Sequence, residues 1–318
     1  MFNIKDYGAV GDGVTDDYEA IFKACYDAMK AHGTVYVPLG YYRLTETLKI
    51  RYRCNFLGEG PGSVLIMSED LPLLYACGDS GHLAHQSIKN MAFYSLARSL
   101  DAPVVYLGQG VQEAVVEDVQ LYGGYTGIHL HGTIMVVLSR VHFMLGRDYL
   151  FIRERVGKPI MVGKHAIKIT NRGRSHANCN SVRDCRCTGS YDYGLCMNNT
   201  DGEGGLRLDN LIVEGNKERI RGIHIANTDG VFGSNLHFEG PNSRLEMENC
   251  RNSAVMVGGL GREVVLRNCK NVRVMSVVAG EYRLAGGRDI DTQGIVARNI
   301  IYGAEGGSLT GLHNPDKA

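Results

Sequence analysis

Residues 2–44 read FNIKDYGAVGDGVTDDYEAIFKACYDAMKAHGTVYVPLGYYRL, and the fold is decided there. A short apolar strand leads into a glycine-rich turn from Gly8 to Gly13, and a helix starts at Thr15 or Asp16. Asp16 with Glu19 three residues on reads as a capping box, and Asp16 and Asp17 suit the positive end of the helix dipole. Ile21, Ala24, Cys25, Ala28 and Met29 recur at helical spacing, so one face of that helix is apolar. Gly33 supplies a left-handed C-cap, after which Thr34-Val-Tyr-Val-Pro38 returns to the alternation of a strand.

Working outward from this stretch, the dominant signal is internal repetition, and a period of a few tens of residues means a solenoid. One strand type ends in a polar or glycine turn, as in Gly127-Ile-His-Leu-His-Gly132, Ala166-Ile-Lys-Ile-Thr-Asn171, Gly194-Leu-Cys-Met-Asn-Asn199 and Gly222-Ile-His-Ile-Ala-Asn227. Asn171, Asn199 and Asn227 follow one another at 28-residue spacing, which predicts that they stack on successive coils. A second strand type starts after a polar corner at Asn90, Asp118, Arg140, Asp184, Asn210, Asn235 and Asn271. A third lies just before that corner, as in Leu206-Arg-Leu-Asp209. Three strands per turn, each pairing with its equivalent one coil away, make a parallel β-helix whose inward column is Ile, Leu, Val, Met or Cys. Asparagine at the corners tolerates left-handed backbone. Two irregularities interrupt the repeat: an insertion from Met144 to Lys164 and a second excess from Gly240 to Asn252.

The order strand, Asp-Gly turn, amphipathic helix and GTVYVP strand resembles the N-terminal cap of the pectate-lyase-like superfamily of right-handed β-helices. Phage tailspike depolymerases, polygalacturonases and alginate epimerases share it. The expected fold is therefore all-β, a single-stranded right-handed parallel β-helix with an N-terminal amphipathic capping helix. It forms one domain: cap over 1–33, coils over 34–303 and a polar tail over 304–318. The resemblance implies a tailspike-like depolymerase that cleaves a bacterial surface or acidic polysaccharide by hydrolysis or β-elimination. The alternative is a non-catalytic glycan-binding virion or adhesion module. It also implies a homotrimer, to which outward Ile212 and Phe232 are the candidate contacts.

Composition agrees with this class. Hydrophobic residues make up 44% of 318 positions, enough for a large core, and no apolar run is long enough to span a membrane. Lys plus Arg equals Asp plus Glu, 34 each, which argues against a charge-driven nucleic-acid binder. The nine cysteines sit mostly inside apolar strand patterns, without metal-ligand spacing, and read as buried free thiols. The start at Met1 shows no charged-then-apolar leader, and with free thiols this predicts a virion or extracellular protein released by lysis.

Register lets the outward side chains be read off. On the Asn-terminated strands they are Tyr106, His129, His131, Lys168, Thr170, Asn198 and His224; on the second strand type they include Tyr94, Gln120, Tyr122, His142, Arg186, Glu214, His237, Glu239 and Arg273. Glu214 and Glu239 hold one position on consecutive coils, so their backbones should lie about 5 Å apart. A close carboxylate pair is what glycoside hydrolysis uses. Tyr122, His142, Arg186 and His237 flank the pair as substrate-binding candidates, and Tyr149 and Arg153 of the insertion are candidates for a groove wall. A second constellation is the doubled Asn-Thr-Asp-Gly at 199–202 and 227–230. It resembles a polygalacturonase signature and makes Asp201 and Asp229 catalytic candidates, although the remaining motifs of that family are missing. The copies also read as stacked Asx-turns. No cofactor is called for. A calcium site would need a carboxylate cluster, to which Asp201, Glu203 and Asp229 are the candidates.

Overall fold

The computed structural model describes residues 1–78, 83–144, 154, 162–171, 177–199, 204–214, 222–240, 242–258, 263–276, 279–303 and 309–313. The capping helix runs Tyr18–Lys30 and buries Ile21, Ala24, Cys25 and Ala28 against the first coil. Its start differs in detail from the capping box. The N-cap is Asp17, whose carboxylate turns away from the helix and accepts from the amides of Val10 (2.6 Å) and Gly11 (3.0 Å). The glycine-rich turn therefore takes the carboxylate that a local reading gives to the helix. At the far end the left-handed residue is His32, with φ 48°, and not Gly33.

Beyond the helix the chain is a right-handed parallel β-helix, and among the described residues every strand pairing is parallel. Three faces repeat coil by coil. On the first, Val35, Phe56, Ile88, Val116, Leu138, Val182 and Leu208 stand in one register and point inward. On the second the inward column is Tyr42, Leu65, Phe93, Leu121, Phe143, Cys187, Val213 and Phe238. On the third it is Leu48, Leu74, Val105, Ile128, Ile167, Leu195, Ile223 and Leu245. These columns meet in one continuous core, and each fully buried aliphatic or aromatic side chain contributes about 1.5–3 kcal/mol. Cys25, Cys54, Cys185, Cys187, Cys250 and Cys269 are buried free thiols, whereas Cys179 is exposed.

The corner between the first and second faces is left-handed at every coil from Asn90 to Asn235. Asn90, Asp118, Arg140, Asp184, Asn210 and Asn235 have φ between 49° and 55°. Their side chains form a ladder: Asn210 Nδ2 donates to Asp184 Oδ1 and Asn235 Nδ2 to Asn210 Oδ1, both at 2.9 Å. Asn271 is left-handed too, but it stacks on Asn252 and Asp229 along another line. Arg273, in register with Ala254 and Phe232, accordingly belongs to the first face and not the second.

At the corner after the third face the one-coil spacing of Ile167, Leu195 and Ile223 holds, and all three are fully buried. The asparagine ladder there runs Asn198, Asn227 and Asn249, because Asn199 turns inward and is fully buried. The supposed excess from Gly240 to Asn252 is an ordinary coil. Arg244–Glu248 is a strand in register with Gly222–Ala226, its Leu245 and Met247 alternating inward between charged neighbours. The expected polar tail carries a further strand, Leu309–His313, paired with the segment before it.

Asn210 tests the corner account. A non-glycine residue without a polar side chain in left-handed backbone costs about 1–2 kcal/mol. Asn210→Ala should therefore lower the urea midpoint more than Asn210→Gly, which loses only the ladder bonds. Equal losses in the two variants would overturn this reading.

Candidate functional site

The second face places two outward columns side by side. One runs Gln120, His142, Arg186, Ile212 and His237; the other runs Tyr122, Met144, Thr188, Glu214 and Glu239. Strand alternation sends Val213 and Phe238 inward, and so obliges Glu214 and Glu239 to point out together. One carboxylate oxygen from each glutamate and a ring nitrogen of His237 lie within 4.8 Å of one another. Arg186, one coil earlier, donates to Glu214 Oε2 through Nη2 (2.6 Å) and Nε (3.2 Å). His237 Nε2 lies 3.0 Å from Glu239 Oε1. His142 Nε2 reaches Thr188 Oγ1 at 3.2 Å, which extends the polar line by one coil. Among the described residues this trio is also the group able to hold a cation. Its mixed nitrogen and oxygen donors fit a borderline transition metal better than calcium, which takes oxygen.

Thus Glu214, Glu239, His237, Arg186 and His142 come together on one face. Tyr122 does not join them: it is 6% exposed, its hydroxyl donates to Gln120 at 2.6 Å, and its ring packs with Tyr94 and Met144. An outward position on a strand is not the same as an exposed one, and this ring offers no platform to a sugar. Tyr149, Arg153, Asp201 and Glu203 lie outside the described residues. Asp229 accepts from Asn252 at 2.9 Å and pairs with Arg251 at 3.7 Å, in a turn whose Asn227 and Gly230 are left-handed. These contacts run to side chains of the neighbouring coil, and residues 200–203 of the other copy lie outside the described residues. Of the residues put forward for a trimer contact, Phe232 is 57% exposed, while Ile212 stands between Arg186 and His237 within the charged column.

The third face carries a different chemistry, only part of which follows from strand alternation. His129 Nε2 and His131 Nδ1 both reach Thr170 Oγ1, at 2.8 and 2.9 Å. His165 stacks on Tyr193 with ring centroids 5.8 Å apart, and Lys164 pairs with Asp192 at 2.7 Å. Burial, reinforced by the positive charge of Lys168, pushes the His129 imidazole down to about 3 and that of His165 to about 4. His165 and Tyr193 escape a simple reading because the inward–outward alternation breaks at their positions within the strands Val162–Thr170 and Ser190–Asn198. Their signal is the backbone pairing of His165 with both Thr126 and Tyr193.

With both faces in view, residues 1–100 match the family model described as rhamnogalacturonase A/epimerase, pectate lyase-like. That match lies in the N-terminal third, and the chain as a whole folds as a right-handed parallel β-helix. A stretch of 78 residues is 41% identical to a mannuronan C5-epimerase of Azotobacter vinelandii, covering 22% of this chain and 6% of that protein. The catalytic unit of an alpha-1,3-glucanase from Streptomyces thermodiastaticus superposes with TM-score 0.59 at 15% identity, over 99% of this chain and 69% of the other. A surface protein and adhesin of Streptococcus pneumoniae superposes with TM-score 0.54 at 13% identity, over 98% and 99%. At such identities the two structures share the fold, and the fold alone serves both a glycosidase and an adhesin.

The buried imidazoles of this β-helix make its stability depend on acidity. His165 titrates at about 4 when folded, below the ordinary 6.5, so the unfolded chain takes up the proton first as pH falls. Stability should therefore decline as pH drops from about 6.5 towards 4. His165→Gln should flatten that decline, read as the slope of denaturation midpoint against pH; an unchanged slope would show that the imidazole is not held neutral.

Proposed function

We propose that this protein acts on a polysaccharide lying along its outer surface and cleaves it by hydrolysis at Glu214 and Glu239. The observation that carries the reading is the approach of both carboxylates and His237 within 4.8 Å on consecutive coils. Retaining glycosidases hold their two carboxyl groups about 5–5.5 Å apart, and the coil repeat provides that separation without a dedicated loop. Arg186 orients Glu214 for the nucleophile or base role. Glu239, joined to His237, is placed to deliver a proton to the leaving oxygen. His142 and Thr188 continue the groove as sugar-binding groups. We place the activity outside a cell or on a virion, where such polymers are met, and the homotrimer remains part of this proposal. The sequence relationship to an epimerase and the fold shared with a glucanase support a carbohydrate substrate.

A second reading is elimination on the third face. It is favoured by imidazoles that burial keeps neutral, His129 and His165, in the field of the Lys168 ammonium. A neutral imidazole is the form that abstracts a proton, and a nearby cation stabilises the carbanion that results.

A panel of bacterial and plant polysaccharides, assayed for new reducing ends and for the ultraviolet absorbance of unsaturated uronates, separates the two. Glu214→Gln and Glu239→Gln should each lower turnover by orders of magnitude, with stability changed by no more than about 0.5 kcal/mol, as expected at exposed polar positions. Full activity in both variants would rule out this groove. Binding without any product would make the chain a glycan-binding module.

A further inference from the structure

Two hollows lie away from both Glu214 and His129. They adjoin one another at the N-terminal end, with volumes of about 750 and 800 Å³, and share Lys49, Arg51 and Tyr52. In the first, Phe22, Tyr26 and Met29 of the capping helix form the opposite wall. In the second, the wall is Tyr18, Leu71, Pro72 and Tyr75. Tyr26, Tyr52 and Tyr75 are 50, 53 and 36% exposed, an unusual density of open rings for one end of a protein with no tryptophan. Lys30 Nζ stands 4.0 Å over the Tyr26 ring, and Tyr75 is stacked on Tyr106 with centroids 4.4 Å apart. The charges facing the hollows are Lys30, Lys49 and Arg51 against Glu46.

We infer that this groove binds an acidic saccharide chain by stacking sugar rings on its tyrosines and pairing their anionic groups with Lys49 and Arg51. The inference rests on the reading of the chain as a polysaccharide-acting protein, but not on Glu214 or Glu239. Aromatic faces with a cationic rim match a ring that is apolar on its faces and charged at its edge. The outward column that leaves the groove continues this pattern along the solenoid: Lys49, Tyr75, Tyr106, His129 and Lys168 occupy one register on successive coils. Single-stranded nucleic acid also stacks on aromatics. It carries a phosphate at each nucleotide and calls for a strongly basic surface, whereas this chain balances 34 basic against 34 acidic residues.

Affinity electrophoresis of the full chain tests this with four probes: polygalacturonate, dextran sulfate, neutral dextran and poly(dT). Polygalacturonate should retard the protein and dextran should not; dextran sulfate tells whether carboxylate is required or any acidic group suffices. The pair Arg51→Ala and Tyr52→Ala, both on exposed side chains, should weaken retardation at least ten-fold with an unchanged denaturation midpoint. Lys49→Ala alone supplies an independent variant should the pair fold poorly. Because the readout is binding, a negative result here is distinct from loss of turnover at Glu214 and Glu239. Undiminished retardation in the variants, no retardation by either acidic glycan, or preferential binding of poly(dT) would each overturn the proposal.

Discussion

The parallel backbone ladder from one coil to the next is the constraint on which everything else depends. Once Ile167, Leu195 and Ile223 stand above one another, the residues that follow them, Lys168, Cys196 and His224, are committed to the outer side. A slip of one residue would carry a whole inward column to the surface, so the apolar core enforces the register. The same enforcement aligns polar residues with no mutual attraction. Glu214 and Glu239 are brought together although like charges repel, because Val213 and Phe238 must be buried. Core packing is the stronger term, since exposed charge interactions amount to about 1 kcal/mol or less.

The corners fix where each strand may begin, and they explain how much of the fold was legible in the residues. Left-handed backbone is tolerated by few side chains, so Asn90, Asp118, Asp184, Asn210 and Asn235 mark the first-to-second-face corner in plain text. Arg140 holds the same conformation by bonding to Asp118 and Glu117, a contact visible only across coils. What stayed illegible was of this cross-coil kind. Asp17 leaves the helix end for the amides of Val10 and Gly11, and Asn199 turns inward while Asn198 takes its place in the ladder.

The candidate site shows the same division. That Glu214, His237 and Glu239 share a face follows from alternation and coil length, both of which are written in the residues. That Tyr122 is covered does not, because alternation gives direction and says nothing of what lies on top. Tyr94, Tyr122 and Met144 form an apolar cluster on the outside of the coil, where the period-two rule assigns them to solvent. The hollows under the capping helix were missed for a related reason. They are made where helix and coil meet, and each of Lys49, Arg51 and Tyr52 taken alone reads as an ordinary surface residue.

Two faces of one solenoid thus present opposite electrostatic designs. On the second, side chains of Arg186, Glu214, His237 and Glu239 are 26–55% exposed; Arg186 pairs with Glu214 and His237 meets Glu239 at 3.0 Å, both open to water. On the third, His129 and His165 are withdrawn from solvent and lose their charge instead. The difference arises from what flanks each column. Short or charged neighbours leave the carboxylates open to water, while Tyr106 and Tyr193 lay rings against the imidazoles. A coil repeat fixes distances between side chains and leaves their surroundings free to differ. One fold can therefore place paired carboxylates on one side and neutral bases on another, and its shape alone does not name the reaction.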